Sequence, residues 1–127
     1  MTIGPPSLEA TITCGGQPLQ LSCPGPTTTL STTIGSDGTT TAYCVASDMV
    51  TSINVAIPDP AVGNLRDLAK KYFVAINCPN GDVQSISELG GGYVIVESID
   101  PGVQVKGSFA SDAGDVSGTF LAVASQQ

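Results

Sequence analysis

The chain has 127 residues, 41% of them hydrophobic and only 12% charged, with four basic residues against eleven acidic ones for a net charge of −7. That length suits one domain with a real core, and that apolar content excludes a disordered tail. The acidic balance disfavours nucleic acid and anionic membrane surfaces as partners, because phosphate binding needs a basic footprint.

No apolar run reaches the length of a membrane helix, so no transmembrane segment is expected. Residues 1–7 read as an N-terminal arm and 8–127 as a single β-rich domain. The start lacks the positive and apolar stretches of a signal peptide, as in a chain whose leader has been removed. A cytoplasmic start is the other reading.

In chain order, Leu8, Ala10, Ile12 and Cys14 alternate with Glu9, Thr11 and Thr13, the period of a half-buried strand. A turn at Gly15-Gly16-Gln17-Pro18 and a second alternating run, Leu19 to Cys23, complete a hairpin. Residues 24–41, rich in Thr, Ser, Gly and Pro, read as a long loop with one short strand near 29–34. Its threonines suggest O-glycosylation or an ice-binding array, but the regular T-x-T rows of such an array are missing. Residues 41–47 and 51–57 read as strands, stopped by Pro58-Asp59-Pro60.

Residues 61–71 read as the one helix: Leu65, Leu68, Ala69 and Tyr72 recur at helical spacing, and Asn64 or Asp59 could cap it. Arg66, Lys70 and Lys71 gather there, either as a solvated face complementing the helix dipole or as a contact for an acidic partner. Residues 72–78 return to strand chemistry, Pro79-Asn80-Gly81-Asp82 signals a turn, and 83–89 and 93–99 read as strands. Gly90-Gly91-Gly92 frees the backbone without the lysine and helix of a phosphate loop. Finally, Val105-Lys106-Gly107-Ser108-Phe109-Ala110 returns as Val116-Ser117-Gly118-Thr119-Phe120-Leu121 across a polar turn. The two phrases read as the arms of one hairpin, each glycine marking a bulge or a close backbone approach.

The expected fold is therefore mainly β: one antiparallel sandwich or partly open barrel of about eight or nine strands, with a short helix near 61–71. Four cysteines, Cys14, Cys23, Cys44 and Cys78, favour two disulfides in an oxidising compartment. Chain proximity suggests Cys14–Cys23 and Cys44–Cys78. Four buried thiols or a four-cysteine metal site are the alternatives.

Leu8 to Leu19, with Ala10-Thr11-Ile12 and Gly16-Gln17-Pro18, resembles the opening strand and turn of an uncharacterised family of bacterial extracytoplasmic domains, often on lipoproteins. Val96 to Asp100 and Val116 to Ala122 are similar to that family's closing phrases. The resemblance implies a β-sandwich or open barrel in the envelope or outside the cell, and brings no catalytic residues. The threonine-rich loop, the cysteines and the 61–71 segment depart from it.

Histidine is absent, which removes histidine-based nucleophilic catalysis. A Ser–Lys dyad or a pair of glycosidase carboxylates has no marked nucleophile or cleft, so a small hydrolase is the weakest class, and no catalytic residue is assigned. Asp112 with Asp115, and Asn80 with Asp82, are turn oxygens of the type calcium uses, although turns favour these residues for backbone reasons alone. No other cofactor is expected. Two functions remain. One is a non-enzymatic extracellular or cell-envelope binding or adhesion module with a protein or cell-surface partner. The other is a structural subunit that assembles with itself into a fibre, sheath or shell.

Overall fold

The alternation at the start of the chain becomes a hairpin, β1 (Ser7–Cys14) and β2 (Gln17–Cys23), in which Leu8, Ala10 and Ile12 are buried and Glu9 and Thr11 are exposed. Gly15 and Gly16 close it with φ of 59° and 80°, a left-handed pair that glycine takes without steric cost. The computed structural model describes residues 6–23, 25–67, 71–79, 81, 83–86 and 91–124.

The hairpin is followed by β3 (Thr28–Ile34), β4 (Thr40–Ala46), β5 (Ser52–Ile57), β6 (Gly63–Asn64), β7 (Phe73–Asn77) and β8 (Val83–Ser85). A meander of β9 (Gly92–Asp100), β10 (Gln104–Ser111) and β11 (Val116–Val123) completes the chain. These strands form a six-stranded sheet, β2-β1-β11-β10-β9-β6, and a five-stranded sheet, β3-β4-β5-β7-β8. Every pairing is antiparallel, and the sheets do not close into a barrel. The buried faces of both meet in one apolar cluster that includes Leu8, Ile12, Ile53, Val55, Ile76, Val94 and Phe109. Within the threonine-rich stretch 24–41, the strand expected near 29–34 is β3, which lies across the ends of the other sheet, and residues 40–41 begin β4. The Thr28 hydroxyl donates to Ser22 O (2.5 Å) and the Thr32 hydroxyl to Val123 O (2.8 Å).

Two expectations are corrected. The described part of 61–71 holds no helix: residues 63–64 are the edge strand β6, 65–67 are a turn, and 68–70 lie outside the described residues. The apolar spacing is real, since Leu65 is fully buried, but the open edge of β9 competes for the backbone. Leu65 N–H bonds Val94 O (2.8 Å), and Asn64 Oδ1 accepts Arg66 N–H (3.0 Å), capping a turn rather than a helix. Among the described residues the strand count is eleven: β6, of two residues, is too short to show a period, whereas β8 falls within the strand expected over 83–89.

The disulfides are Cys14–Cys78 and Cys23–Cys44, with Cα atoms 5.7 and 6.0 Å apart, so the expected pairing is wrong and no described cysteine is free. In the β1–β2 register Cys14 faces Gln17 at the turn while Cys23 faces Leu8 at the far end. Six residues of strand, about 20 Å, separate them. Each bridge instead joins the six-stranded sheet to the five-stranded one, and removes the thiols that a metal site or a set of reduced core cysteines requires.

The repeated phrase is one hairpin with reciprocal packing. Gly107 lies opposite Phe120, and Phe109 opposite Gly118. The rings sit 6.4 Å apart, each over the other arm's glycine. A Cβ on Gly107 would stand 2.9 Å from Phe120 Cζ, and one on Gly118 would stand 2.7 Å from Phe109 Cζ. The glycines are the space that the two phenylalanines need.

Candidate functional site

The turn after β6 and the turn between β10 and β11 bring two sequence-flagged residues together. Asp112 N–H donates to Gly91 O (2.9 Å), which sets the Asp112 carboxylate beside Arg66. Arg66 Nη1 donates to Asp112 Oδ1 and Oδ2 at 2.9 and 2.7 Å, and the guanidinium lies 5.1 Å from the centre of the Tyr93 ring. Both side chains remain about half exposed, at 46% and 44%. The hydrogen bonds that Asp112 accepts favour the charged guanidinium and raise the Arg66 pKa.

Beside this pair is a cleft of about 430 Å³, within the range of small-molecule sites. Its described lining is Arg66, Asp112, Tyr72, Ser85 and Gly91–Gly92, with Phe73, Val74 and Ile86 as the apolar part. The backbone ties these pieces together: Ile86 N–H bonds Val74 O and Gly91 N–H bonds Ile86 O, each at 2.9 Å. The Tyr72 hydroxyl donates to Gly92 O, and burial pushes its pKa up, with Arg66 partly opposing. Gly92 has no room for a side chain, since a Cβ would sit 2.5 Å from Ile86 Cγ2 and 2.9 Å from Ser111 Cα. Segments 68–70 and 87–90, which adjoin these residues in the chain, lie outside the description.

Of the other flagged residues, Lys71 is exposed and absent from the lining. Asp115 uses its backbone oxygen to accept Thr13 N–H (2.8 Å). Lys70, Asn80 and Asp82 lie outside the described residues. Among the described residues no three His, Cys, Asp or Glu side chains gather as a metal site, and the Asp112 carboxylate is engaged by Arg66. Sequence reasoning missed Tyr72, Tyr93, Ser85 and Ile86. Only the glycine triplet at 90–92 hinted at a close approach.

A second cleft, of about 450 Å³, lies between Ile34, Ile99 and Val105 and the turns carrying Asp37 and Pro101. Asp37 is occupied locally, accepting Thr39 N–H at 2.9 Å, which lowers its pKa. No described helix is long and apolar enough to cross a membrane. Comparison with known proteins finds no matching family model, no matching curated protein and no matching solved structure.

Proposed function

We propose that the chain is a non-enzymatic binding module of the β-sandwich type, working outside the cell or in the cell envelope. The observation that carries this reading is the cleft beside Arg66–Asp112, assembled from five separate stretches of chain on a scaffold stapled by two inter-sheet disulfides. Both bridges suit an oxidising compartment. The end phrases that resemble extracytoplasmic lipoprotein domains agree with that location.

The cleft's chemistry indicates the kind of ligand. Arg66 and Asp112 neutralise one another, so the rim offers donors and acceptors without net charge. Phe73, Val74 and Ile86 offer an apolar wall. A small neutral molecule or side chain with a ring or branched apolar body fits that combination. None of the described titratable groups in the cleft is poised for catalysis: Arg66 and Asp112 hold each other, and the Tyr72 hydroxyl is donated to Gly92 O with its pKa raised.

The test is a fragment screen by amide NMR on the oxidised protein, using neutral aromatic and aliphatic fragments. Hits should cluster on Arg66, Tyr72, Ile86, Gly91 and Asp112, and should vanish in Ile86→Trp, which fills the cleft. Fragments that scatter over the surface, or bind Ile86→Trp equally well, would refute the reading. The second reading, a self-assembling structural subunit, is favoured by a different feature, the open edge of β3.

A further inference from the structure

Four strands form the sheet edges: β2, β6, β3 and β8. An open edge is a template for another strand, and proteins usually guard it with brevity, proline, a charge or a bulge. β6 and β8 have two and three residues, and β2 carries Pro18. β3 is seven residues long, Thr28-Thr29-Leu30-Ser31-Thr32-Thr33-Ile34, with no proline, no charge and an unbroken register on β4.

The phase of its free hydrogen-bonding groups follows from its ends. Gly35 N–H bonds Thr39 O, and Ala46, opposite Thr28, turns its N–H away to Thr51 O. Odd-numbered residues of β3 therefore bond β4, and the even-numbered ones face the open edge. Thr28 N–H is met by Gly25 O (3.4 Å). Leu30, Thr32 and Ile34 have no partner on that side among the described residues. The side chains of Leu30 and Ile34 are also only partly buried, whereas the inward Ala42, Cys44, Ile53, Val55 and Ile57 of the next two strands are 0–1% exposed.

We infer that β3 pairs antiparallel with β3 of a second copy of this chain, joining two five-stranded sheets across a two-fold axis at Ser31. The strand suits its own reverse. An antiparallel pair must match outward residues with outward ones, and pairing all seven residues fixes Ser31 opposite Ser31. Thr29 then faces Thr33, a cross-strand threonine pair, and Leu30 faces Thr32. Between Leu30 and Thr32 of each copy, hydrogen-bonded pairs satisfy the unpartnered edge. Each chain carries −7, but β3 itself has no charged side chain, so two copies meet here without local repulsion. Association should strengthen with salt, which screens the remaining like charge. The two-fold axis closes the pair at a dimer. The inference is a contact of this chain with itself that stops at two copies, and it does not depend on the cleft.

Edge pairing buries less than a standard interface, so the dimer is weak, forming in roughly the 0.1–1 mM range. The experiment is sedimentation velocity on the oxidised chain from about 1 μM to about 1 mM, with Ser31→Lys, which sets two ammonium groups opposite each other. Ser31 is exposed, and an unchanged far-UV spectrum verifies that the variant folds. The expected result is a concentration-dependent wild-type dimer, a monomeric Ser31→Lys and an unaffected Ile86→Trp. Under mild oxidant Ser31→Cys should crosslink to a covalent dimer. Thr29→Cys should not, because its mate lies four residues off, about 14 Å. A wild type that stays monomeric at the highest concentration overturns the inference. So does a dimer that survives Ser31→Lys, or a Thr29→Cys chain that crosslinks as fast as Ser31→Cys.

Discussion

Replacing Gly118 by alanine adds one methyl group on β11, between Ala10 of β1 and Phe109 of β10. Elsewhere in a strand the change helps, because alanine loses less backbone freedom on folding, by about 0.5–1 kcal/mol. Here the new Cβ would lie 2.7 Å from Phe109 Cζ and 2.9 Å from Ala10 Cα, and would overlap Glu9 O. Reaching an ordinary contact of 3.4 Å requires the Phe109 ring to retreat by about 0.7 Å, into a core where Phe109 is 2% exposed. Overpacking of this kind costs about 1–3 kcal/mol. Displacing Glu9 O strains the β1–β11 ladder, adding about 1 kcal/mol for each hydrogen bond lost. The expected net loss is about 3 kcal/mol, equivalent to roughly a 10 °C fall in Tm for a domain of this size. Urea unfolding of the oxidised protein, followed by far-UV circular dichroism, measures it. Phe109→Leu in the Gly118→Ala background should recover part of the loss but not all, because Glu9 O is backbone. Gly35→Ala, which meets chiefly the Asp37 side chain at 3.0 Å, should cost far less. A Gly118→Ala variant as stable as wild type would falsify the reciprocal packing of the two phrases.

Three other outcomes follow from the same geometry. Removing Cys14–Cys78 should cost about 4 kcal/mol and removing Cys23–Cys44 about 3, from loops spanning 64 and 21 residues. Non-reducing peptide mapping checks the pairing, and a Cys14–Cys23 peptide would sink it. Met49 is 77% exposed and holds φ of 60°, so Met49→Asn should stabilise by about 0.5–1 kcal/mol, seen as a higher urea midpoint. An unchanged or lower midpoint counts against a strained turn. Asp48 accepts the Thr51 hydroxyl at 2.6 Å and the N–H groups of Val50 and Thr51, which lowers its pKa below the ordinary 3.8. Its contribution to stability is full above the unfolded pKa and is lost as pH falls through the folded value. Carboxyl NMR should place the midpoint below 3.8, and Thr51→Val should raise it; a wild-type midpoint at or above 3.8 contradicts the turn geometry.

Much of the molecule was legible before the structure. Period-two alternation at Leu8 to Cys14 and at Ile53, Val55 and Ile57 fixed which side chains face the core, because a strand turns successive residues to opposite faces whatever its neighbours are. The Gly15-Gly16 turn and the 105–120 hairpin were equally local. Residues 61–71 misled, since an i, i+3, i+4 spacing also serves a buried Leu65 in the turn after an edge strand, and the free edge of β9 decided between the two.

The candidate site was half visible. Arg66 and Asp112 were singled out for separate reasons, but nothing 46 residues apart in the chain announces an ion pair, and Tyr72, Ser85 and Ile86 read as ordinary strand residues. The disulfides mark the same divide most sharply. Sequence determined that there are four cysteines and that Cys14 and Cys23 lie on one hairpin. Only the stacking of two sheets decided that each reaches across to the other layer, because a strand's length holds its ends apart while packing brings distant strands face to face.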